Sequence, residues 1–248
     1  MNQREKHLAA WSLVAGLALW GARPASAMHI MEGYLPVSGC LLWGALSLPF
    51  LAAGVAAIRR VAREQRRNLL LLAMAGAFVF VISSLKIPSV SGSCSHMTGT
   101  GLAAILFGVP VTAVLGIIVL VFQALLLAHG GLTTLGANTF SMAIAGPLAS
   151  WLLYRLGRRT RLPRQALVFL AAAVGDLVTY CVTSFQLALA YPSAQGGVAA
   201  SAAEFLGVFA PTQLPLALIE GILTMLVLLG LETYARPELR AAGYLGEG

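Results

Sequence analysis

At 248 residues, 58% hydrophobic and only 10% charged, with a mean hydropathy of +0.84, this chain is too apolar for a soluble globular protein. Its formal charge of +7 is not a nucleic-acid signature, because the arginines are gathered in short loops: Arg59, Arg60, Arg63, Arg66 and Arg67 in one, Arg155, Arg158, Arg159, Arg161 and Arg164 in another, with Arg236 and Arg240 after the last apolar run. Basic residues confined to short loops orient proteins of the bacterial cytoplasmic (inner) membrane, and Cys40, Cys94 and Cys181, without paired spacing, do not indicate a disulfide framework.

Residues 1–27 read as a cleavable signal peptide: Arg4 and Lys6 make a positive start, Leu8 to Ala22 an apolar middle, and Ala25-Ser26-Ala27 a small-x-small cleavage site. The alternative is an uncleaved first membrane helix, but spanning the hydrocarbon takes about 20 apolar residues and this core is shorter. Cleavage after Ala27 makes Met28 a free amino terminus and His29 the second residue of the mature chain. The amine nitrogen, the amide nitrogen of His29 and its imidazole can then close fused rings on one cation. Such nitrogen-rich sites favour late first-row metals such as nickel or copper, with cobalt considered beside them. Glu32, just beyond, offers negative charge near a dication.

After the signal, apolar segments run at about 38–58, 68–84, 98–108, 110–128, 138–154, 165–190 and 212–234. Charge parity decides how the fourth and third are read. A single crossing by 98–128 would leave the arginines of 155–164 on the outer face, against the positive-inside tendency. A break at Gly108-Val109-Pro110 restores it, since proline lacks a backbone donor and glycine tolerates unusual dihedrals. The first piece is then too short to span and reads as a re-entrant half-helix buried in protein. The fold expected is all-α, a polytopic membrane helix bundle of about seven hydrophobic segments, amino terminus outside and carboxyl terminus inside. Residues 28–248 form one membrane-embedded domain with no linker or second unit.

On that topology His29, His96 and His129 all fall on the outer face. His96 lies in the polar, glycine-bearing stretch Ser91-Gly-Ser-Cys-Ser-His-Met-Thr-Gly-Thr-Gly101, from which an imidazole can be presented to an amino-terminal chelate. Taken singly it reads as an inert loop histidine; paired with His29 it reads as the fourth ligand. Cys94 beside it is a candidate thiolate, though a lone membrane cysteine usually acts as a small apolar residue. His129 opens His129-Gly-Gly-Leu-Thr-Thr-Leu-Gly-Ala-Asn138-Thr-Phe, where capping by Asn138, or support of a ligand imidazole by Asn138 and His129, is favoured over direct coordination. Asp176 and Glu220 sit inside apolar segments, where a carboxylate costs roughly 2.5–3.5 kcal/mol and faces the protein interior. The functional readings, a cation relay or a partner for loop backbone, weigh equally with the structural one, an interhelical tie with Thr179, Thr183 or Gln186. Ala52, Ala53, Ala56 and Ala57 give small-xxx-small pairs, for internal packing or for docking a separate membrane subunit. No Walker loop occurs, so the chain itself does not hydrolyse ATP. A hydrolase built on Ser91, Ser93 or Ser95 lacks a nucleophile elbow and a third partner, and a passive metal channel past Asp176 and Glu220 is a further alternative.

The motifs Met28-His-Ile-Met-Glu-Gly-Tyr-Leu-Pro36, Gly92-Ser-Cys-Ser-His-Met-Thr-Gly-Thr-Gly101 and His129-Gly-Gly-Leu-Thr-Thr-Leu-Gly-Ala-Asn-Thr-Phe140 resemble those of the CbiM/NikM family. These are substrate-binding (S) components of energy-coupling factor metal importers, and the resemblance spans essentially the whole mature chain. It implies a non-enzymatic transport subunit that captures Co²⁺ at the extracytoplasmic face for cobalamin biosynthesis. The ligands implied are the Met28 amine, the His29 backbone nitrogen and imidazole, and the His96 imidazole. The partners implied are a CbiQ-like transmembrane coupling subunit docked on the alanine face, CbiO-like ATPase subunits and a CbiN-like small membrane protein; no prosthetic group is expected. The wording Met31-Glu-Gly-Tyr34 is closer to the cobalt branch than to its nickel relatives, and nickel remains the alternative substrate.

Overall fold

In hydrocarbon every backbone polar group must find its partner within the protein, so a chain of long apolar runs is driven into helices. The computed structural model describes residues 29–64, 68–88 and 94–245, and the molecule is mostly helical. The signal peptide expected over 1–27, Met28, and Ser91 and Ser93 of the histidine loop lie outside the described residues. In chain order come α1 (Val37–Glu64), α2 (Asn68–Ser84), the strands β1 (Lys86–Pro88) and β2 (Cys94–His96), α3 (Thr100–Phe107) and α4 (Val109–Leu126). They are followed by α5 (Leu135–Asn138), a π-helical stretch (Thr139–Ala145) and α6 (Gly146–Gly157), which run on without a break. The described chain ends with α7 (Arg164–Ala190), α8 (Gly197–Tyr234) and α9 (Arg236–Ala241). By length and composition α1, α4, α7 and α8 can each cross a membrane; α2 is apolar and shorter, at 17 residues.

The break expected at Gly108 is present. Gly108 stands at φ 79°, ψ 170°, a conformation open to glycine, between the last turn of α3 and the first of α4. Its N–H closes α3 on the Ala104 carbonyl at 3.0 Å, and its carbonyl accepts the Thr112 amide (3.2 Å) and hydroxyl (2.9 Å) to open α4. Pro110 falls in the first turn of α4, where a missing donor costs nothing. With 8 residues α3 is about 12 Å long, far less than the ~30 Å hydrocarbon core. It is enclosed instead: every residue from Thr100 to Leu106 is buried.

Two departures from the sequence reading have physical causes. The antiparallel hairpin of β1 and β2, with Lys86 opposite His96 and Ile87 opposite Ser95, qualifies the all-α expectation; three-residue strands carry too little pattern to be seen in advance. The final long helix begins at Gly197, not near 212, because Pro211 and Pro215 are accommodated inside it. The alanine face is divided. Ala52, Ala53 and Ala56 face outward, whereas Ala57 is half-buried against the cluster of Leu72, Ala75, Val111 and Leu115. The close approach on α1 is made by Gly54, where a Cβ would lie 2.0 Å from the Pro110 carbonyl oxygen.

Two apolar clusters mark the two ends of the bundle. Leu102, Leu106, Tyr154, Leu167, Val168, Leu228, Leu239 and Tyr244 gather at the end that carries α9. Ile30, Leu35, Trp43, Ala137, Tyr180, Leu187 and Phe209 gather at the other, directly behind the first described residues.

Candidate metal centre

Ile30 is fully buried and ties the start of the described chain to the bundle. Its backbone is gripped by one side chain: the Ile30 N–H donates to Asn138 Oδ1 at 2.8 Å, and Asn138 Nδ2 donates to the Ile30 carbonyl at 3.0 Å. The Thr134 hydroxyl adds a second bond to that carbonyl at 2.6 Å. Asn138 therefore makes no side-chain cap on the following helix, as its position had led one to expect, and it bonds backbone in place of an imidazole. Both amide atoms are used on a buried peptide that would otherwise lack partners. Glu32 is a latch of the same kind: its exposed carboxylate accepts the Leu132 N–H at 2.5 Å and the Thr133 N–H at 3.2 Å, while Gly33 N–H donates to the Thr133 hydroxyl at 3.1 Å. The hydrogen bonds from Thr133, then that from Leu132, hold its carboxyl below the usual range. Gly131 is required at this crossing, since a Cβ there would fall 2.5 Å from the Glu32 Cα.

These bonds bring His29 under the hairpin and beside the turn after α4. His29, His96 and His129 are all buried, at 2%, 1% and 4% exposure. The His29 and His96 rings stack at 4.4 Å between centroids; His129 stands edge-on to them at 4.5 Å and 5.0 Å. His29 Nδ1 and His96 Nε2 face each other at 2.5 Å. One donor atom from each of the three histidines can be chosen so that all lie within 4.8 Å of one another, and among the described residues this trio is a group able to hold a metal ion. Nε2 of His29 and of His129 have no hydrogen-bond partner. On the far side of the His96 ring, Nδ1 is 2.8 Å from the Met97 carbonyl, so Nδ1 carries the proton and Nε2 keeps its lone pair toward His29.

His129 is aimed by an unusual turn. Ala128 has φ 46°, rare for a residue with a Cβ, and both Leu127 and His129 donate backbone N–H bonds to the Gln123 carbonyl. Burial is the main cause that holds all three imidazoles neutral: His29 lies well below its ordinary value, His96 falls to about 4 and His129 to about 3. Mutual repulsion among the histidines and the positive charge of Lys86 add to this for His29 and His129. Neutral imidazole is the form that binds a metal. Lys86, paired with His96 across the hairpin, was not singled out from the sequence; a lone lysine in a loop carries no such signal.

The two intramembrane carboxylates meet beneath His96. Glu220 accepts the Thr98 N–H at 2.5 Å, the Thr98 hydroxyl at 2.8 Å and the Gly99 N–H at 2.9 Å, which makes it a partner for loop backbone. Asp176 accepts from Gln213 Nε2 at 2.5 Å, and the same amide lies 3.3 Å from the His96 carbonyl. Of the partners expected for Asp176, Thr179 bonds the Gly175 carbonyl and Gln186 the Ala137 carbonyl. Gln213 was missed, although a glutamine seven residues before Glu220 on an apolar helix places two polar groups on one face. Cys40 and Cys181 are free thiols, half-buried and exposed respectively.

A multi-pass helical membrane protein with a buried cluster of nitrogen donors at one end of its bundle is the class that fold and site define. The family model described as "Cobalt uptake substrate-specific transmembrane region" matches residues 29–239. The chain belongs to the CbiM family. It is 63% identical over 250 residues to the cobalt transport protein CbiM of Lachnoclostridium phytofermentans, covering 100% of this chain and 99% of that one. To the cobalt transport protein CbiM of Chlorobium limicola it is 60% identical over 231 residues, 93% of this chain and 91% of the other. Its fold is similar to that of a crystal structure of a truncated transition metal transporter, with a TM-score of 0.71 and 26% identity, over 83% of this chain and 99% of that one.

Proposed function

We propose that this chain is the substrate-binding membrane subunit of an ATP-driven energy-coupling factor importer and that it captures Co²⁺ at the extracytoplasmic face. The observation that carries the reading is the opposition of His29 Nδ1 and His96 Nε2 at 2.5 Å in a buried cluster, with His129 beside them. Two neutral imidazole nitrogens so placed, joined by the His29 amide nitrogen and a free Met28 amine, make an all-nitrogen set for a late first-row dication. His129, whose Nε2 has no other partner, stands close enough to shield the ion or to complete its shell. Asn138 and Glu32 support the site by holding the chain on either side of Met31. The placement of arginines supports an outer position for this end of the bundle and an inner one for the carboxyl terminus.

Uphill uptake then requires partners. A CbiQ-like coupling subunit docks on α1, CbiO-like subunits hydrolyse ATP, and a CbiN-like small protein accompanies the complex. The subunit resides in the bacterial cytoplasmic membrane, and the metal serves cobalamin biosynthesis. The test is metal content together with intact mass of protein purified from membranes. The expected mass is that of a chain beginning at Met28, with about one Co²⁺ bound per chain. His29→Ala and His96→Ala each lower Co²⁺ affinity by at least about 100-fold, as loss of a ligand does. A glycine added before Met28 does the same; undiminished binding in that variant overturns the amine ligand. Competition with Ni²⁺ decides between the two metals, since nitrogen donors accept both.

A further inference from the structure

The two sides of the histidine cluster hang from different parts of the bundle. The His29 side is held by the segment from Leu132 to Asn138, through Ile30, Glu32 and Gly33. The His96 side is held by α8. The Ser95 and Thr212 hydroxyls bond at 2.8 Å, Gln213 Nε2 reaches the His96 carbonyl at 3.3 Å, and Glu220 takes Thr98 and Gly99. Four of the five residues from Ser95 to Gly99 are therefore bonded to one helix. Gln213 and Glu220 are two turns apart and share a face of it. Both are fully buried, so the bonds that these two side chains make are formed away from competing solvent.

A ligand imidazole must be held within about 0.5 Å of its working position, and that tolerance is set by what supports it. Here the support is applied to the Ser95 side chain before His96, to the backbone from the His96 carbonyl to Gly99 after it, and to the ring itself. We infer that Gln213 and Glu220 are positioning residues for His96: through residues 95–99 they set where its Nε2 stands relative to His29 Nδ1. The inference rests on the proposed reading that these two histidines hold the cargo. It makes α8 the element whose displacement separates the two donors. Pro211 and Pro215 remove two N–H groups from the α8 ladder at the turn that grips the loop, so the helix bends there more readily than elsewhere.

The test uses the full chain purified from membranes, titrated with Co²⁺ and followed by its ligand-field absorption. Glu220→Gln keeps the side chain's size but turns an amide toward backbone donors; Gln213→Leu removes the donor to His96. Each is expected to weaken Co²⁺ binding by about tenfold or more and to shift the absorption bands of the ion that still binds. Thr224→Val, a buried change on the same helix one turn beyond Glu220, is expected to leave the spectrum as it was. Wild-type affinity and spectrum in folded Glu220→Gln and Gln213→Leu overturn the inference. Hydrogen exchange on the unmutated chain decides it without any variant: Co²⁺ should protect 95–99 and the 212–220 stretch of α8 together, and protection confined to the loop overturns it. His96→Ala separates the two levels. Retained binding there defeats the proposed function itself, whereas lost binding there with unaltered Gln213 and Glu220 variants defeats this inference alone.

Discussion

Burial sets the pH range over which the histidines can work. His96 and His129 titrate near 4 and 3, against 6.5 in an unfolded chain, and His29 is also well depressed. A group with a lowered folded-state value binds fewer protons folded than unfolded, so stability is present above 6.5 and is lost as pH falls from there toward 3. Metal-free protein is therefore expected to show a falling unfolding temperature across that window, and His96→Gln is expected to flatten the fall. Metal binding reads a different group. On the proposed ligand set the imidazoles, already neutral at pH 6, add little pH dependence between 6 and 8, whereas a free Met28 amine, titrating near 8, and the His29 amide must each shed a proton to bind the metal. Co²⁺ affinity rising about a hundredfold per unit between pH 6 and 7.5 is expected when amine and amide both bind; a slope of about tenfold leaves only one of the two, and a flat profile leaves imidazoles alone as ligands. His29 and His96 stand out as candidates in the sequence because their signals are local: a position after the expected cleavage site, and a glycine-bearing polar loop. The work of Asn138, Gln213 and Lys86 was not, because each acts on a residue between 10 and 117 positions away.

Helices whose axes come close depend on what sits at the crossing. The crossing of α1 with α4 has Gly54 against the Pro110 carbonyl, and backbone cannot rotate aside as a flexible side chain can. Gly54→Ala is expected to cost about 1–3 kcal/mol through forced separation of the two helices, seen as a lower midpoint of thermal unfolding in detergent. Gly230→Ala is the matched control: nothing lies within 4 Å of the added Cβ, so helix propensity alone acts and stability is equal or slightly higher. Most helices were legible from apolar length alone, and the Gly108 break from charge parity, because both are properties of a run of residues. The π-helical stretch Thr139–Ala145 and the early start of α8 were not. They depend on packing: α7 closes against α6 where Gly175 and Gly146 admit the Ser150 and Thr179 side chains. Whether two prolines end a helix or are carried inside it is likewise settled by neighbours.

The four long helices are not equally enclosed. Within its most apolar window α7 has 56% of residues buried, α4 44% and α8 33%, but α1 only 11%. A helix left so open faces either lipid or another protein, and apolar composition serves both, so the sequence could not choose. The outward residues of α1 include Leu41, Leu42, Leu48 and Val55, with Ala52, Ala53 and Ala56 forming a low patch among them. Small residues let a partner helix approach closely enough for dispersion and weak backbone contacts to hold it, whereas lipid chains need no such recess. On the proposed function the occupant is the transmembrane coupling subunit. Ala52→Trp with Ala56→Trp is then expected to leave Co²⁺ affinity and unfolding temperature unchanged, because neither side chain reaches the core or the histidines. The coupling subunit recovered with the variant should fall by about tenfold, since an interface centre filled with bulk loses most of its binding energy. Undiminished recovery together with undiminished uptake assigns this face to lipid and moves the docking surface elsewhere on the bundle.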